Sequence, residues 1–269
     1  MREPALRRRC WPDPAVRPYG QGVVARPDVP DGALPRRDSR RAEILDAFTR
    51  AVAERGYDGT NFGDLAGELG ISKGTIVHHF GTKDRMLREL HENYMRRRLA
   101  EVRIVWARLS RPAERLAAFV HLGVRYQVVD RIPTVAFQRE VLRFAAAPGM
   151  ETSLALRDEY RELVESVLAD GVTAGEFRPG DDRLRTLQLF GSVHWMWTWY
   201  DPDGARSVED VAASFVDMVL AGVLADPSLA ADLADPAGTV AAAVEEALRS
   251  GSAPSPAGAL DGDLGHTAG

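Results

Sequence analysis

Between residues 38 and 225 the chain carries only five of its 16 prolines, Pro112, Pro133, Pro148, Pro179 and Pro202, and the apolar residues between them recur three and four apart. Such spacing lines one face of a helix, whereas a strand needs strict alternation, which is nearly absent. Ile44, Phe48 and Val52, widened by Leu45, Ala47 and Ala51, predict a helix over 40–55 ended by Gly56. Prolines and short polar residues mark the other starts: Thr82 before 83–108, Pro112 before 113–129, Pro133 before 134–146, Pro148 before 149–174, Asp181 before 182–200 and Ser207 before 208–224. The expected fold class is all-α, about nine helices with short connections.

The ends differ from this middle. Residues 1–37 hold seven prolines and eight Arg against four acidic residues, which predicts a disordered basic arm. Residues 226–269 hold four prolines and one Arg against seven acidic residues, which predicts an acidic, mostly flexible tail with a short helix around 236–250. One cysteine, Cys10, supplies neither a disulfide nor a zinc cluster, so 269 residues must be held by a hydrophobic core. The longest uncharged stretch, Thr186 to Tyr200, is fifteen residues, short of a membrane span. The start, MREPALRRRCWPDP, has no apolar segment behind its basic run, so the expected location is the cytoplasm, with no membrane partner.

Residues 57–84, YDGTNFGDLAGELGISKGTIVHHFGTKD, concentrate the functional signal. Thr60 is placed to cap a short helix with Phe62, Leu65, Ala66 and Leu69 on one face, broken by Gly70. Ser72 is placed to cap a second, with Ile76 and Phe80 facing the same way as Ile71. Two short helices joined by a glycine-containing turn form a helix-turn-helix, whose second helix enters the major groove of duplex DNA. Its first residues, Lys73, Gly74 and Thr75, with His78 and His79, then face base edges. A purely structural helical hairpin is the alternative. Adjacent histidines project apart, so no metal pair is expected. The total net charge of −5 opposes a nucleic-acid partner, yet Ile71 to Lys83 holds two cations and no acid. Phosphate contact needs only a few placed cations and helix N-termini.

The stretch from Arg41 to Leu87 resembles the DNA-binding domain of TetR-family transcriptional regulators, through Ser72, Lys73, Gly74, Thr75, His79, Phe80, Lys83 and Asp84, preceded by Arg41 to Leu45 and by Gly56 and Tyr57. Both lysines of the chain, Lys73 and Lys83, fall at family positions. Val77 departs from the tyrosine common there, which moves that phosphate contact to His78 or removes it. The resemblance implies a three-helix helix-turn-helix domain over 38–85, in which Thr60, Asn61 and Lys83 meet phosphate. Lys73, Gly74 and Thr75 reach bases or nearby phosphates, and Arg41, Ser72, His78 and His79 complete the expected DNA-binding set, His78 as the DNA contact of the pair and His79 with packing inside the domain as its alternative. It implies that 86–225 is a helical effector-binding and dimerisation bundle.

The bundle has its own signals. Helix 182–200 is apolar on every side from Leu187 onward, so a second surface must cover it. Trp195 and Trp199, with Phe215, Met218, Val219 and Gly222 of the next helix, form the expected homodimer interface, a four-helix seam. Trp106, Phe119, Tyr126, Phe137, Phe144, Phe190, His194 and Trp197 are the candidate effector-binding residues, each alternatively plain core. As a set they suit an apolar or aromatic small molecule. Arg125, Arg139 and Arg143 either meet an anion there or form salt bridges. The run from Trp195 to Gly204 is similar to a TetR subgroup regulating fatty-acid and steroid breakdown, which implies an acyl-CoA-like effector. Together these features give a dimeric, ligand-responsive repressor on a palindromic operator in double-stranded DNA. The alternatives are a dimeric small-molecule-binding protein with an impaired helix-turn-helix, or a helical enzyme. No G-x-S-x-G, Walker or H-E-x-x-H motif is present, so no catalytic residue, metal or cofactor is expected.

Overall fold

The computed structural model describes residues 36–144 and 149–251. The expected basic arm and Cys10 fall almost wholly outside them; Arg36 and Arg37 already belong to the first helix. Helix α1 spans Arg36–Arg55, α2 Phe62–Leu69, α3 Lys73–Phe80, α4 Lys83–Trp106, α5 Pro112–Val129, α6 Arg131–Phe144, α7 Glu151–Thr173, α8 Asp182–His194 and α9 Val208–Val223. Two more follow, α10 Ala230–Ala234 and α11 Thr239–Gly251, with short 3-10 turns at Trp195–Thr198 and Pro227–Leu229. Among the described residues there is no strand, only an isolated bridge between Phe177 and Leu224. No helix there is long and apolar enough to cross a membrane.

Two large cores organise the chain, with a third small cluster of Val124, Met196, Tyr200, Val208, Val211 and Ala212. The smaller of the two cores packs Ile44, Phe48, Val52, Leu65, Ile76, Phe80, Met86 and Leu90 of α1–α4, and Val135 and Ala136 of α6 join it. The helix-turn-helix is therefore sealed from behind by a helix of the larger domain. The larger core is built around α5, which buries residues from Ala113 to Gln127 on nearly all its sides, the pattern of a helix with neighbours all round.

Two sequence expectations are corrected here. Helix 182–200 stops at His194 and tightens into the 3-10 turn. There the Thr198 hydroxyl donates to the Trp195 carbonyl (2.7 Å), taking an acceptor that a continuing helix would use. The second correction concerns 226–269. Ala230, Leu233, Val240, Val244, Ala247 and Leu248 are buried in the larger core, against α4, α5 and α9, so the bundle continues past residue 225 to at least residue 248. The spacing of Val240, Ala243, Val244, Ala247 and Leu248 is an amphipathic helix pattern, outweighed in the sequence reading by the acidic, proline-bearing composition around it.

Candidate functional site

The two short helices are set by their caps. Asn61, not Thr60, caps α2: its side-chain oxygen accepts from the Gly63 and Asp64 amides at 2.9 and 3.0 Å. Gly70 ends α2 with φ of 62°, a left-handed conformation that costs glycine least, and the Ile71 amide turns back to the Ala66 carbonyl (3.0 Å). Ser72 then caps α3 by accepting from the Thr75 amide (3.1 Å), and its hydroxyl also pairs with that of Thr75 (3.0 Å). Ile76 and Phe80, fully buried, anchor α3 to the small core. This leaves Lys73, Gly74, Val77 and His78 on the exposed side, with Thr75 and His79 half-buried beside them. No acidic residue lies in the first turn of α3, so the Lys73 ammonium and the free amides of the helix start present one positive face.

Other members of the expected DNA-contact set hold the domain together instead. Thr60 is fully buried and donates its hydroxyl to the Gly56 carbonyl (2.9 Å), so that side chain does not reach a phosphate. Lys83 Nζ donates to the carbonyls of Tyr57 and Thr60, both at 2.7 Å, and sits 4.0 Å from the Tyr57 ring centroid. Its charge is spent clamping the 57–60 turn to α4. Arg41 grips Glu89 of α4 with both terminal nitrogens and lies over the Phe80 ring at 4.7 Å. Asn61 and Ser72 are exposed, but their acceptors are used in capping. Sequence spacing shows which residues share a segment; it does not show which cation finds carbonyl partners.

Helix α6 couples the two domains through polar side chains. Arg139 donates to the Ala53 and Glu54 carbonyls that end α1 (2.9 and 3.2 Å), and Glu140 accepts the Tyr57 amide (2.8 Å). Arg143 pairs with Asp58 (2.5 Å) and Glu140 (3.1 Å), and Arg125 pairs with Glu209 (2.7 Å) and Glu245 (2.8 Å). The salt-bridged alternative therefore describes Arg125 and Arg143. Arg139 is spent on carbonyls, and its guanidinium lies 5.8 Å from the Trp197 ring.

The candidate effector residues divide. Phe119 and Phe190 stack at 6.0 Å, both with Tyr160, and His194 lies parallel to Phe190 at 5.3 Å. Phe137 stacks on His91 and Tyr94 at 4.3 and 4.4 Å, and Tyr126 carries the Arg98 guanidinium 3.5 Å above its ring. Trp106 stands apart beside Arg115, and Trp197 packs against the small core. The side chain of Phe144 lies outside the described residues.

The sequence reading missed the polar layer between these rings. Arg98, 2% exposed, pairs with Asp130 and with Glu101 (3.2 Å), and Arg97 reaches Asp130 from the surface. Burial pushes the carboxyls of Glu101 and Asp130 up and the Arg98 charge pulls them back. An arginine and a glutamate three apart in a helix read as an exposed pair, so nothing in their spacing marks them as buried.

On the far side of the bundle Trp195, Trp199 and Met218 are exposed at 58%, 47% and 57%, with Leu184 and Leu187 beside them. Phe215 and Val219 are half-buried, and Phe215 stacks on Trp199 at 6.3 Å. Gly191 and Gly222 have open space above them. Exposed apolar side chains therefore lie on α8, the 3-10 turn and α9, and the Trp199–Phe215 stack joins the turn to α9.

Residues 44–90 match the sequence profile described as bacterial regulatory proteins, tetR family, and residues 109–223 that described as tetracyclin repressor-like, C-terminal domain. The chain is 30% identical over 194 residues to the HTH-type transcriptional repressor KstR2 of Rhodococcus jostii, covering 71% of this chain and 94% of that one. It is 28% identical over 187 residues to the repressor of the same name from Mycobacterium tuberculosis, covering 69% and 94%. The solved structure of that ketosteroid transcriptional regulator superposes with a TM-score of 0.63 at 27% identity, covering 70% of this chain and 97% of the other.

Proposed function

The chain belongs to the TetR family and is a ligand-responsive DNA-binding repressor, and from that premise we propose that two copies join through the α8–α9 face and bind a palindromic operator. The observation that carries this reading is the positive, acid-free start of α3, presented outward by a domain in which Lys83 and Arg41 are engaged internally. A two-fold dimer sets two such helices a helical turn or more apart, so its site is an inverted repeat. Lys73, Gly74, Thr75 and His78 meet DNA, and Val77, 44% exposed, offers methyl groups that suit a thymine methyl. The effector is an apolar or acyl-CoA-like small molecule received among Phe119, Tyr126, Phe137, Phe190 and His194. The resemblance of the Trp195 to Gly204 run and the ketosteroid regulator among the relatives support that class. Effector binding spreads the aromatic layer against α4 and α6, the helices that hold the DNA-binding domain, and thereby lowers operator affinity. The protein works in the cytoplasm, beside its DNA.

Footprinting on DNA flanking its own gene tests this. The purified dimer should protect an inverted repeat, and Met218→Glu should give monomers in sedimentation and lose the footprint. A dimer that binds small molecules yet shifts no fragment at low salt would favour a binding protein with an impaired helix-turn-helix.

A further inference from the structure

The inward face of α7 carries Ser153, Arg157, Tyr160 and Val164, spaced so that all four share one side of the helix. Ser153 is fully buried, Tyr160 9% and Val164 1% exposed, and Arg157 lies half-buried among them. An arginine facing a core ordinarily finds a carboxylate. Among the described residues Arg157 makes no hydrogen bond and no ion pair; its neighbour Asp158 is exposed and pairs with Arg161 (3.3 Å). The residues of 145–148, which join α6 to α7, bring no charge.

Among the described residues no carboxylate of a facing helix pairs with Arg157. His91 of α4 and His194 of α8 both feel its charge. Burial, and then Arg157, pushes these imidazoles down to about 3 and about 4, so both are neutral at physiological pH. Arg98, the other buried guanidinium on α4, is committed to Asp130 and Glu101. Ser153 Oγ, out of contact with water, has no hydrogen-bond partner among the described residues. A half-buried guanidinium and an unused hydroxyl, bordered by the Tyr160 and Phe190 rings and by the neutral His194, form a site with no carboxylate partner among the described residues.

We propose that the effector carries an anionic group, a carboxylate or a phosphate, and that Arg157, with Ser153 and His194, receives it at the edge of the aromatic layer. This rests on the reading of the bundle as the effector domain and adds its charge requirement: the ligand is an amphipathic anion, not a neutral apolar molecule. A charge-assisted hydrogen bond at a half-buried site gives about tenfold to a hundredfold in affinity.

The test uses the full chain and three probes of one chain length: dodecanoate, dodecanoyl-CoA and neutral dodecanol, followed by calorimetry. Wild type should bind one or both anionic probes at least about tenfold more tightly than dodecanol. Dodecanoate alone would identify a carboxylate site, the thioester alone a phosphate site. Arg157→Met should abolish that preference and leave dodecanol binding unchanged, while Arg157→Lys should keep part of it. The ligand-free Arg157→Met variant should melt no lower than wild type, because it removes an unpaired, desolvated charge; a structural ion-pair role would lower the melting temperature. Equal losses for dodecanol and the anionic probes, or no loss at all, would overturn the assignment. So would a wild type that binds none of the three. Operator binding on the same preparation judges the regulator reading separately: anion binding through Arg157 with no DNA shifted would reject that reading and leave this one standing.

Discussion

The two lysines of the chain do opposite work. Lys73 stands on the exposed start of α3 with no partner among the described residues, whereas Lys83 is half-buried and bonded to two carbonyls beside the Tyr57 ring. Both were legible as family positions; what separates them is whether a backbone turn offers carbonyls at bonding distance, and that is a tertiary fact. Buried histidines give a second residue-scale consequence. His91, fully buried and stacked on Phe137, is held neutral, with its pKa near 3 against an ordinary value of 6.5. The unfolded chain binds a proton there below about pH 6.5 that the folded chain refuses, so this contribution is complete above that pH and is lost as pH falls. The slope for one such group is about 1.4 kcal/mol per pH unit. His194, lowered to about 4, acts in the same sense, and the raised carboxyls of Glu101 and Asp130 act oppositely. Comparing wild type with His91→Phe cancels those shared terms: urea denaturation at about pH 7 and about pH 5 should show a smaller acid loss in the variant. Equal losses in both would remove His91 from the account.

Helices were legible because their apolar stripes and caps are local. Asp181, Ser207 and Thr82 cap α8, α9 and α4 as their positions suggested. What escaped was where neighbouring elements intrude. Gly171, within α7, shows the effect: a Cβ there would lie 2.0 Å from Cδ2 of Phe177, a ring 2% exposed and fixed beside the bridge to Leu224. In an open helix Gly→Ala gains up to about 1 kcal/mol. Here overpacking costs about 1–3 kcal/mol, because the clash is with a pinned ring and not a flexible tip. Gly171→Ala should therefore lower the melting temperature, and a rise would show that the ring yields. The Trp195–Thr198 turn sends Met196 into a buried cluster and leaves Trp195 outside.

At the scale of the whole molecule, composition misled twice. The acidic end hid α10 and the burial of α11, which place Leu233, Val244 and Leu248 in the main core and tie Glu245 to Arg125 (2.8 Å) and Glu246 to Arg108 (3.4 Å). The C-terminal profile ends at residue 223, so family pattern gave no help there. Truncation after Ala225 should lower the melting temperature well below that of wild type; an unchanged value would mean that this packing contributes nothing. The net charge of −5 hid the cationic face of α3 in the same way. Because so few cations serve the duplex, losing one is visible in the salt dependence of binding. The decisive measurement is operator affinity against salt concentration for wild type, Lys73→Ala and Lys83→Ala, with a melting curve for each. Lys73→Ala should flatten the slope by about one per protomer and leave the melting temperature unchanged. Lys83→Ala should keep the wild-type slope and melt lower, by the loss of about 1–2 kcal/mol of carbonyl bonding. A Lys83→Ala protein with wild-type stability and a flattened slope, or a Lys73→Ala protein with a wild-type slope, would contradict this division between the face that meets DNA and the clamp that holds it.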